Sequence, residues 1–397
     1  MTARLRAVDA DPVATPAFEE ALSAAEKYAD DTDRNGRFPT EAVQALRAAG
    51  ALGWMVPEEF GGAGMPVEQI ARAVFELSRR CAATGMIYAM HQIQVACIAR
   101  HAARSAWFGD YLRRLVAEQR LIASATSEAG TGGDIRHSIA ALRPQSDAPD
   151  APLRFEKNAT TISYGAHADD LLTTVRRGPE ADNGDQVAVL THLAGMTLKT
   201  TGQWDTLGMR GTCSPGFEIE AVCSAEQVLP EPFSKIAAET MVPFSHILWA
   251  HVWLGLSTDA FERAGNFVRR QARQTPGVTP PSALRLSELA SHMAAFRATV
   301  EDATAEYSGL VARNERAVCS TIGFAVRMNN LKIAASEAAV EACQYALRVC
   351  GIMGYRNGGP FSIGRALRDA YSAALMIAND RLHANNASLL LVHRESI

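Results

Sequence analysis

The spacing of apolar residues changes twice along the chain and divides it into three parts. In the first part, apolar side chains recur at helical spacing over residues 18–29 and again over residues 67–77. Residues 86–103 are apolar on every side, which is typical of a buried helix. The pattern predicts an all-helical domain over residues 1–120, with residues 1–15 as a loose arm.

The middle of the chain, from residue 121 to residue 235, has a different pattern. Short apolar runs rich in valine and threonine alternate with glycine, proline, aspartate and asparagine, and these compositions favour strands and turns. The polar stretches 146–152 and 178–185 are typical of surface loops. We therefore predict a small, barrel-like β-domain here.

Helical periodicity returns after residue 236 and continues to the end of the chain. It predicts four long helices, over residues 247–273, 281–312, 325–350 and 363–391. Antiparallel helices of this length suggest a bundle. The predicted fold class is α+β with several domains: an N-terminal helical domain (1–120), a central β-barrel-like domain (121–235) and a C-terminal four-helix bundle (236–397).

Composition narrows the classes of function. The chain has 397 residues, 48% of them apolar, so it can bury a large core. A net charge of −4 gives no basic surface for nucleic acid, and no apolar run approaches the roughly 20 residues that span a bilayer. The N-terminus lacks the apolar core of a secretory signal. Seven cysteines without a Cys-x-x-Cys pair, and no cluster at ligand spacing, predict a reduced cytoplasmic protein without a metal.

Glycines and small hydroxyls are concentrated over residues 124–135, which read SATSEAGTGGDI. Backbone N–H groups can approach a ligand closely at Gly130 and Gly132, because no Cβ stands in the way. With the hydroxyls of Thr126 and Ser127, this loop suits a cofactor that is anionic or rich in acceptors. An ordinary turn after a strand is the alternative, since the strand–GxGxxG–helix context of dinucleotide sites is missing.

Three further stretches accompany this loop. Residues 50–65 read GALGWMVPEEFGGAGM, residues 203–214 read QWDTLGMRGTCS, and residues 348–369 read RVCGIMGYRNGGPFSIGRALRD. In this order and at these spacings, the four stretches resemble the motifs of the acyl-CoA dehydrogenase family of flavoproteins. The resemblance covers about residues 18–391 and implies the same succession of helical, β and helical domains.

The resemblance implies an FAD between the β-domain and the C-terminal bundle. Its ring would lie near Thr126, Ser127 and the strand that holds Thr161 and Ser163, with Gly132 in the loop beside it. In the family, the position of Ser127 bonds the pyrimidine ring and that of Ser163 faces the reactive edge. The usual tryptophan at the position of Thr161 is absent, so another aromatic side chain fills the space or it stays open. An ordinary strand pair is the bland alternative for Thr161 and Ser163.

The family also implies contacts to the phosphates and the adenosine, some of them from a neighbouring subunit of a homotetramer or homodimer. Arginines are chemically suited to these contacts because their forked donors pair with oxyanions. Solvated surface arginines are the alternative. The corresponding positions are Arg269 or Arg270, Arg348, Gly351, Asn379 and Arg381.

The family's catalytic carboxylate is missing from its two usual positions. One of them is occupied by Ile377, and the other falls near Ser245 or His246. A base for proton removal could then be Asp380, Glu239 or a histidine with a pKa near 7. For each histidine the bland alternative is a packed or exposed residue without chemistry. We name Asp380, His246 and His91 as catalytic candidates, with His383 as a further histidine.

Dehydrogenation of an acyl thioester is the reaction that the resemblance implies first, with an electron-transfer flavoprotein or oxygen as the acceptor. The chain would then be an FAD-dependent oxidoreductase acting on CH–CH groups of a CoA or carrier-protein thioester. Gly133 replaces the family serine near the pantetheine, which widens that entrance. The missing carboxylate favours an alternative: a flavin-dependent monooxygenase of the same fold, acting on a small molecule. A silent subunit is a third possibility, against which the retained Ser127, Ser163, Gly130 and Gly132 argue.

Overall fold

The computed structural model describes residues 12–393 except Gly133 and Pro149. Most of the predicted loose arm, and the predicted role of Gly133, lie outside the described residues. The first part of the chain forms five α-helices, as predicted. They are α1 (Pro16–Asn35), α2 (Thr40–Ala48), α3 (Val67–Arg80), α4 (Ala82–His101) and α5 (Ala106–Glu118).

Local signals explain where these helices begin and end. The Thr15 hydroxyl accepts a hydrogen bond from the N–H of Phe18 at 3.4 Å and so caps the start of α1. Gly36 follows the helix in a left-handed conformation with φ of 59°, the usual glycine stop. Helix α4 is buried almost along its whole length, as its apolar sequence predicts.

The described residues in the middle of the chain form seven strands in two sheets. They are β1 (Ile122–Ala125), β2 (Arg143–Pro144), β3 (Leu153–Ala159), β4 (Asp170–Arg176), β5 (Gln186–His192), β6 (Met196–Thr200) and β7 (Phe217–Cys223). The first sheet has the order β1-β4-β5, with β1 and β4 parallel, and the second is antiparallel with the order β2-β3-β7-β6. The described strands therefore form two separate sheets and not a closed barrel.

Alternation along the strands decides which face is buried. In β7, Phe217, Ile219 and Ala221 are buried while the residues between them are exposed. Its partner β3 places Phe155 opposite Ala221, so the two strands share one apolar face. Strand β4, in the middle of the first sheet, is buried on both faces.

The last part of the chain is helical. Its elements are α6 (Phe233–Ile236), a π-turn (Ala237–Met241), α7 (Val242–Gln274), α8 (Ser282–Ala312), α9 (Ile322–Cys350), α10 (Ile352–Tyr355), α11 (Gly364–Tyr371) and α12 (Asn379–Leu390). Three predicted helices are confirmed as α7, α8 and α9. The fold class, helical then β then helical, is confirmed, while the domain limits at residues 120 and 235 stay a prediction. None of the described helices is long and apolar enough to cross a membrane.

The fourth predicted helix, residues 363–391, is wrong as one continuous element. The chain leaves the helical path between α11 and α12, where Ile377 has a φ of +51°. This left-handed conformation is rare for a β-branched residue. Its carbonyl accepts a hydrogen bond from the ammonium of Lys332 on α9 at 2.8 Å, and Asn379 at the start of α12 accepts a second at 2.7 Å. The break is thus held by a contact with α9.

Candidate active site

A cavity of about 650 Å³ lies where the β-domain meets the C-terminal helices. Its wall is formed by α4, the loops after β1 and β3, residues 204–214, the start of α7 and the segment between α11 and α12. A volume of this size is typical of small-molecule sites. The wall is mostly apolar and includes five methionines: Met86, Met90, Met209, Met241 and Met376.

The glycine-rich loop after β1 borders this cavity. Thr126 and Ser127 lie in its wall, and Gly130 and Gly132 follow with φ of 90° and 61°. A left-handed backbone is easily adopted only by glycine, so the loop needs glycine at both places. Arg381 from α12 lies in the wall and donates a hydrogen bond to the carbonyl of Gly132, which ties the loop to the bundle.

Glu128, inside the same loop, is buried and anchors it from behind. Its carboxylate accepts hydrogen bonds from the Ser138 hydroxyl at 2.7 Å and from the N–H groups of Ile139 and Ala140 at 3.0 and 2.7 Å. The ammonium of Lys157 on β3 lies 3.6 Å from it, and burial lowers the pKa of this lysine to about 8. The loop is therefore held by buried charge as well as by its glycines.

Two sets of hydroxyl contacts line the cavity beside the loop. The Ser127 hydroxyl donates to the carbonyl of Thr161 at 2.7 Å and accepts from its N–H at 3.2 Å. The Ser214 hydroxyl donates to that of Ser163 at 2.9 Å, and the Thr212 hydroxyl beside it donates to a backbone carbonyl at 2.9 Å. Because Ser163 accepts from Ser214, its own O–H can donate into the cavity. The structure thus brings together Thr126, Ser127, Thr161 and Ser163 as predicted sites around one space.

Four aromatic side chains belong to the wall: Tyr164, Trp204, Trp249 and Tyr371. Trp204 donates its indole N–H to the carbonyl of Met209 at 3.1 Å. Trp249 on α7 is buried, and its indole N–H finds no acceptor among the described residues. A buried donor without a partner is costly, so this N–H suits an acceptor on a bound ligand. These side chains supply the aromatic surface missing at Thr161.

Two regions of the chain match models of one protein family. Residues 17–119 match the N-terminal domain of acyl-CoA dehydrogenase, and residues 236–377 match its C-terminal domain. Together the two matches cover more than half of the chain. The chain belongs to the acyl-CoA dehydrogenase family.

Relatives within and around this family differ in their reactions. The chain is 26% identical over 351 residues to human mitochondrial short-chain specific acyl-CoA dehydrogenase, covering 86% of this chain and 80% of the relative. It is 26% identical over 380 residues to the amino sugar nitrososynthase DnmZ of Streptomyces peucetius, covering 90% and 87%. Among solved structures, FMN-bound TdsC from Paenibacillus sp. A11-2 has a TM-score of 0.81 at 22% identity, covering 96% and 98%. This last likeness concerns the fold.

Three residues stand at the positions predicted for the family's carboxylate. Ile377 and Ser245 line the cavity, and His246 does not. Ile377 has no ionisable group, and the Ser245 hydroxyl donates to the carbonyl of Val242 at 2.8 Å. Neither side chain can remove a proton from a substrate carbon at neutral pH.

The two histidine candidates lie behind the wall. His91 is buried, donating from Nε2 to the carbonyl of Leu52 at 2.8 Å and accepting at Nδ1 from the N–H of Ile122 at 3.1 Å. Both of its ring nitrogens are engaged. His246 donates from Nδ1 to Val242, and its Nε2 has no partner among the described residues. Burial lowers the pKa of each histidine to about 4. The geometry therefore does not support the catalytic role predicted for His91.

The remaining acid–base candidates also lie away from the cavity. Asp380 and His383 are exposed on α12, and Glu239 is half-buried on the π-turn before α7. None of the three belongs to the cavity wall. The geometry does not support Asp380 as a base in this chain. In the described residues, no group of three or more His, Cys, Asp or Glu side chains is placed to hold a metal ion.

The residues predicted to contact phosphate and adenosine divide into two groups. Arg269, Arg348 and Gly351 are exposed and do not line the cavity. Arg269 donates to the Asn266 side chain at 2.8 Å, and Arg270 stacks its guanidinium over an aromatic ring 5.7 Å away. Asn379 is buried in the contact with Lys332, whereas Arg381 faces the cavity. Only Arg381 of this set is therefore brought to the site within one chain.

Several residues of the site were not predicted. Trp204 stands in a polar loop and Trp249 in an apolar helix, and only contacts between distant segments bring them to one wall. Lys332 interrupts an apolar helical face, and Lys157 occupies an inward position of an alternating strand. In both cases the sequence signal was a lysine at a position where the apolar pattern predicts burial. Lysine is almost never fully buried without a partner, so such a lysine indicates a specific contact.

Proposed function

We propose that the protein is a flavin-dependent monooxygenase that acts on a small, largely apolar molecule. The observation that carries this proposal is the composition of the cavity wall. In the described part of the chain, the wall includes no aspartate, glutamate or histidine, and its charged side chains are Arg368 and Arg381. Arginine stays protonated and cannot serve as a base. Removal of an α-proton needs a base in this wall, whereas oxygen transfer needs a dry cavity around the reacting atoms.

The residues of the cavity fit a flavin ring. The free O–H of Ser163 and the unpartnered N–H of Trp249 are two donors for ring acceptors. The glycine loop offers backbone N–H groups at Gly132, where no heavy atom lies within 4 Å of the place a Cβ would take. When bound, a reduced flavin supplies the two electrons with which one atom of O₂ enters the substrate while the other leaves as water.

The chain's own residues would orient the reactants and exclude water. The methionines and Trp204 surround the substrate with apolar surface, which removes competing water. The Ser163 hydroxyl, fixed by Ser214 at 2.9 Å, would donate a hydrogen bond at the edge of the ring. Arg368 in the same wall forms an ion pair with Asp33 and donates to the carbonyl of Leu207 at 3.0 Å.

The flavin species depends on assembly. FAD would need the phosphate and adenosine contacts predicted at Arg269, Arg348 and Gly351, which are exposed in the single chain. A second copy would have to bring them to the cavity, as in the predicted homotetramer or homodimer. FMN has no adenosine and would not need the adenosine contacts, and FMN is bound in the solved structure of TdsC. Release of the flavin by denaturation, followed by chromatography, distinguishes FMN from FAD, and light scattering gives the number of chains.

Dehydrogenation of an acyl thioester is the second candidate function. It is supported by the identity with the human short-chain acyl-CoA dehydrogenase over most of both chains. In this case a CoA or carrier-protein thioester would donate its hydride to the flavin, with an electron-transfer flavoprotein or oxygen as the acceptor. The base would have to come from outside the described wall. Either reaction is compatible with the predicted cytoplasmic location.

The test uses the purified, flavin-loaded protein. The flavin is reduced by a nicotinamide-dependent flavin reductase and mixed with isotopically labelled O₂ and a panel of small aromatic and sulfur compounds. We expect one labelled oxygen atom in the product, seen by mass spectrometry. In parallel, acyl-CoA esters are added without oxygen while flavin absorbance is followed. Bleaching by an ester, without labelled product from the panel, would overturn the proposal in favour of dehydrogenation.

Two tryptophans provide a matched pair of variants. Trp249 and Trp253 on α7 are both buried with an unpartnered indole N–H in the described structure, but only Trp249 lines the cavity. Trp249→Phe should weaken flavin or substrate binding about tenfold, the effect of one lost buried hydrogen bond. Trp253→Phe should leave both affinities unchanged. Equal effects of the two substitutions would contradict the assignment of the cavity.

A further inference from the structure

A second cavity, of about 530 Å³, lies beside the first. It is enclosed by α1, residues 206–210, α7, the glycines 358 and 359, and the start of α11. The two cavities share part of their walls at Thr206, Leu207 and Arg368. Unlike the first cavity, it is lined mainly by charged side chains, which the proposed reaction does not use.

Positive charge is in excess in this second cavity. Its wall includes three aspartates and five arginines: Arg34, Arg210, Arg263, Arg365 and Arg368. Arg263, Arg365 and Arg368 pair with these aspartates and Arg210 pairs with Asp205, so Arg34 is left without an ion pair in the described structure. A phosphate group carries a charge of about −1.5 to −2 at neutral pH and can compensate this charge.

Several guanidinium donors in the wall have no protein acceptor. The Nη1 of Arg365 is buried and has no partner among the described residues. Arg34 at the end of α1 makes no ion pair in the described structure, and Arg263 pairs with Asp259 through Nε alone, at 2.8 Å. Forked N–H donors of this kind match the oxygens of a phosphate in geometry. A buried donor without a partner also favours a ligand that supplies the acceptor.

Two glycines keep the rim of this cavity open. Gly358 and Gly359 have φ of 76° and 89°, and no heavy atom lies within 4 Å of where either Cβ would stand. Successive glycines in this conformation leave their N–H groups accessible, and such turns form concave sites for anions. The backbone N–H groups and the guanidinium groups are therefore both suited to binding an anion.

We propose that this second cavity binds the phosphate group of a small molecule, as a phosphate ester or a diphosphate. The group could be the anionic end of the substrate, with the reacting end in the apolar cavity, or the phosphate of a flavin. Both have the same chemistry, and the experiment separates them. The inference goes beyond the proposed reaction and does not depend on it, because binding is measured without turnover.

The test is calorimetric titration of the flavin-loaded protein with inorganic pyrophosphate at low ionic strength. Arg34→Ala removes an exposed arginine of the wall and should weaken binding at least fivefold. Arg143→Ala, an exposed arginine on β2 outside both cavities, is the matched control and should change nothing. Asp30→Asn removes a negative charge 3.6 Å from Arg365 and should tighten binding. Arg365→Gln should abolish it, with circular dichroism to verify folding.

The flavin content of each variant identifies the source of the phosphate. If Arg34→Ala loses flavin together with pyrophosphate affinity, the flavin phosphate is the occupant. If flavin content is unchanged while pyrophosphate affinity falls, the substrate carries the phosphate. Pyrophosphate is also titrated into the protein after its flavin is removed, because a bound flavin phosphate would block the cavity. Absence of pyrophosphate binding both with and without flavin, or equal affinities in Arg34→Ala, Arg143→Ala and Asp30→Asn, would overturn the inference.

Discussion

Replacement of Lys332 by methionine tests how the cavity wall is held. The Lys332 side chain is fully buried on α9, and its ammonium donates to the carbonyl of Ile377 and to the side chain of Asn379. Methionine has nearly the same length and fills the same space, but it has no donor. The substitution Lys332→Met therefore removes the contact that holds Ile377 in its left-handed conformation.

Lys332→Met has two opposing effects on the free energy of unfolding: it removes a buried charge, and it removes a hydrogen-bond donor. Burial lowers the pKa of Lys332 from 10.5 to about 8, and at 1.36 kcal/mol per unit the buried charge costs about 3 kcal/mol near neutral pH. Two acceptors lose their donor, at about 1–3 kcal/mol each, although Asn379 keeps a hydroxyl of Ser336 at 3.3 Å. The two effects offset each other in part, so the free energy of unfolding should fall by no more than about 3 kcal/mol.

The effect of Lys332→Met on the cavity wall, and so on flavin affinity, should be clearer than its effect on global stability. A strained backbone such as that of Ile377 stores about 1–3 kcal/mol, and without Lys332 the turn relaxes. A ligand that needs the native wall must then restore it, so flavin affinity should fall about tenfold for each 1.4 kcal/mol. The assay is fluorescence titration of the apoprotein with flavin, beside a denaturant unfolding curve.

Lys157 provides the matched control and pH provides a second readout. Lys157 is also buried with a pKa lowered to about 8, but it lies beside Glu128. Lys157→Met leaves that carboxylate uncompensated and should cost about 3 kcal/mol or more of stability. For each lysine the unfolded chain binds more protons between pH 8 and 10, so stability rises with pH there, and each substitution removes its own part of the rise. A loss above 3 kcal/mol in Lys332→Met with unchanged flavin affinity would refute this account.

Three further predictions concern the site. Gly132→Leu forces a side chain onto a left-handed backbone and should abolish flavin retention, so a variant that still purifies yellow would contradict the placement of the loop. Ser163→Ala removes the donor that faces the cavity and should lower the turnover rate about tenfold or more, with little change in unfolding midpoint, as stopped-flow and thermal unfolding would report. Asp369 is buried, accepts the N–H of Met209 at 2.6 Å, and has its pKa raised to about 6 by burial. The contribution of Asp369 to stability is full below about pH 4 and is lost as pH rises through 6. Asp369→Asn should therefore abolish this pH dependence and should unfold no more easily than the unmodified protein at pH 7. Asp369→Ala should unfold at a lower temperature.

The periodicity of apolar residues was sufficient to predict the succession of helices and strands. Local rules apply there. Apolar residues at 3.6-residue spacing predict α1, α3 and the long helices α7 to α9, a continuous apolar run predicts α4, and alternation is typical of β3 and β7. The same rules failed between α11 and α12. No glycine or proline marks Ile377, and its conformation is held by Lys332, which lies 45 residues away in the sequence. A break caused by a distant contact leaves no local pattern.

The sequence predicted the site residues on the loops after β1 and β3, and it missed the tryptophans of the cavity wall. Thr126, Ser127, Thr161 and Ser163 come from motifs, and they do surround the cavity. The catalytic candidates were chosen by chemical type and by approximate position in the motifs, and neither determines whether a side chain reaches a cavity. His91 illustrates this, because two backbone contacts hold both of its nitrogens in the core. Trp249 could be recognised only once folding left its N–H without an acceptor.

The five methionines around the first cavity have a consequence for the lifetime of the enzyme. Thioether side chains adapt their shape easily, so the wall can close around substrates of different outline. Sulfur is also readily oxidised, and a methionine sulfoxide is polar and chiral, which would wet and deform the wall. If oxygen is activated here without a substrate to receive it, these sulfurs are the nearest acceptors. The number of sulfoxides among Met86, Met90, Met209, Met241 and Met376 would then show how often oxygen was activated without a substrate to receive it.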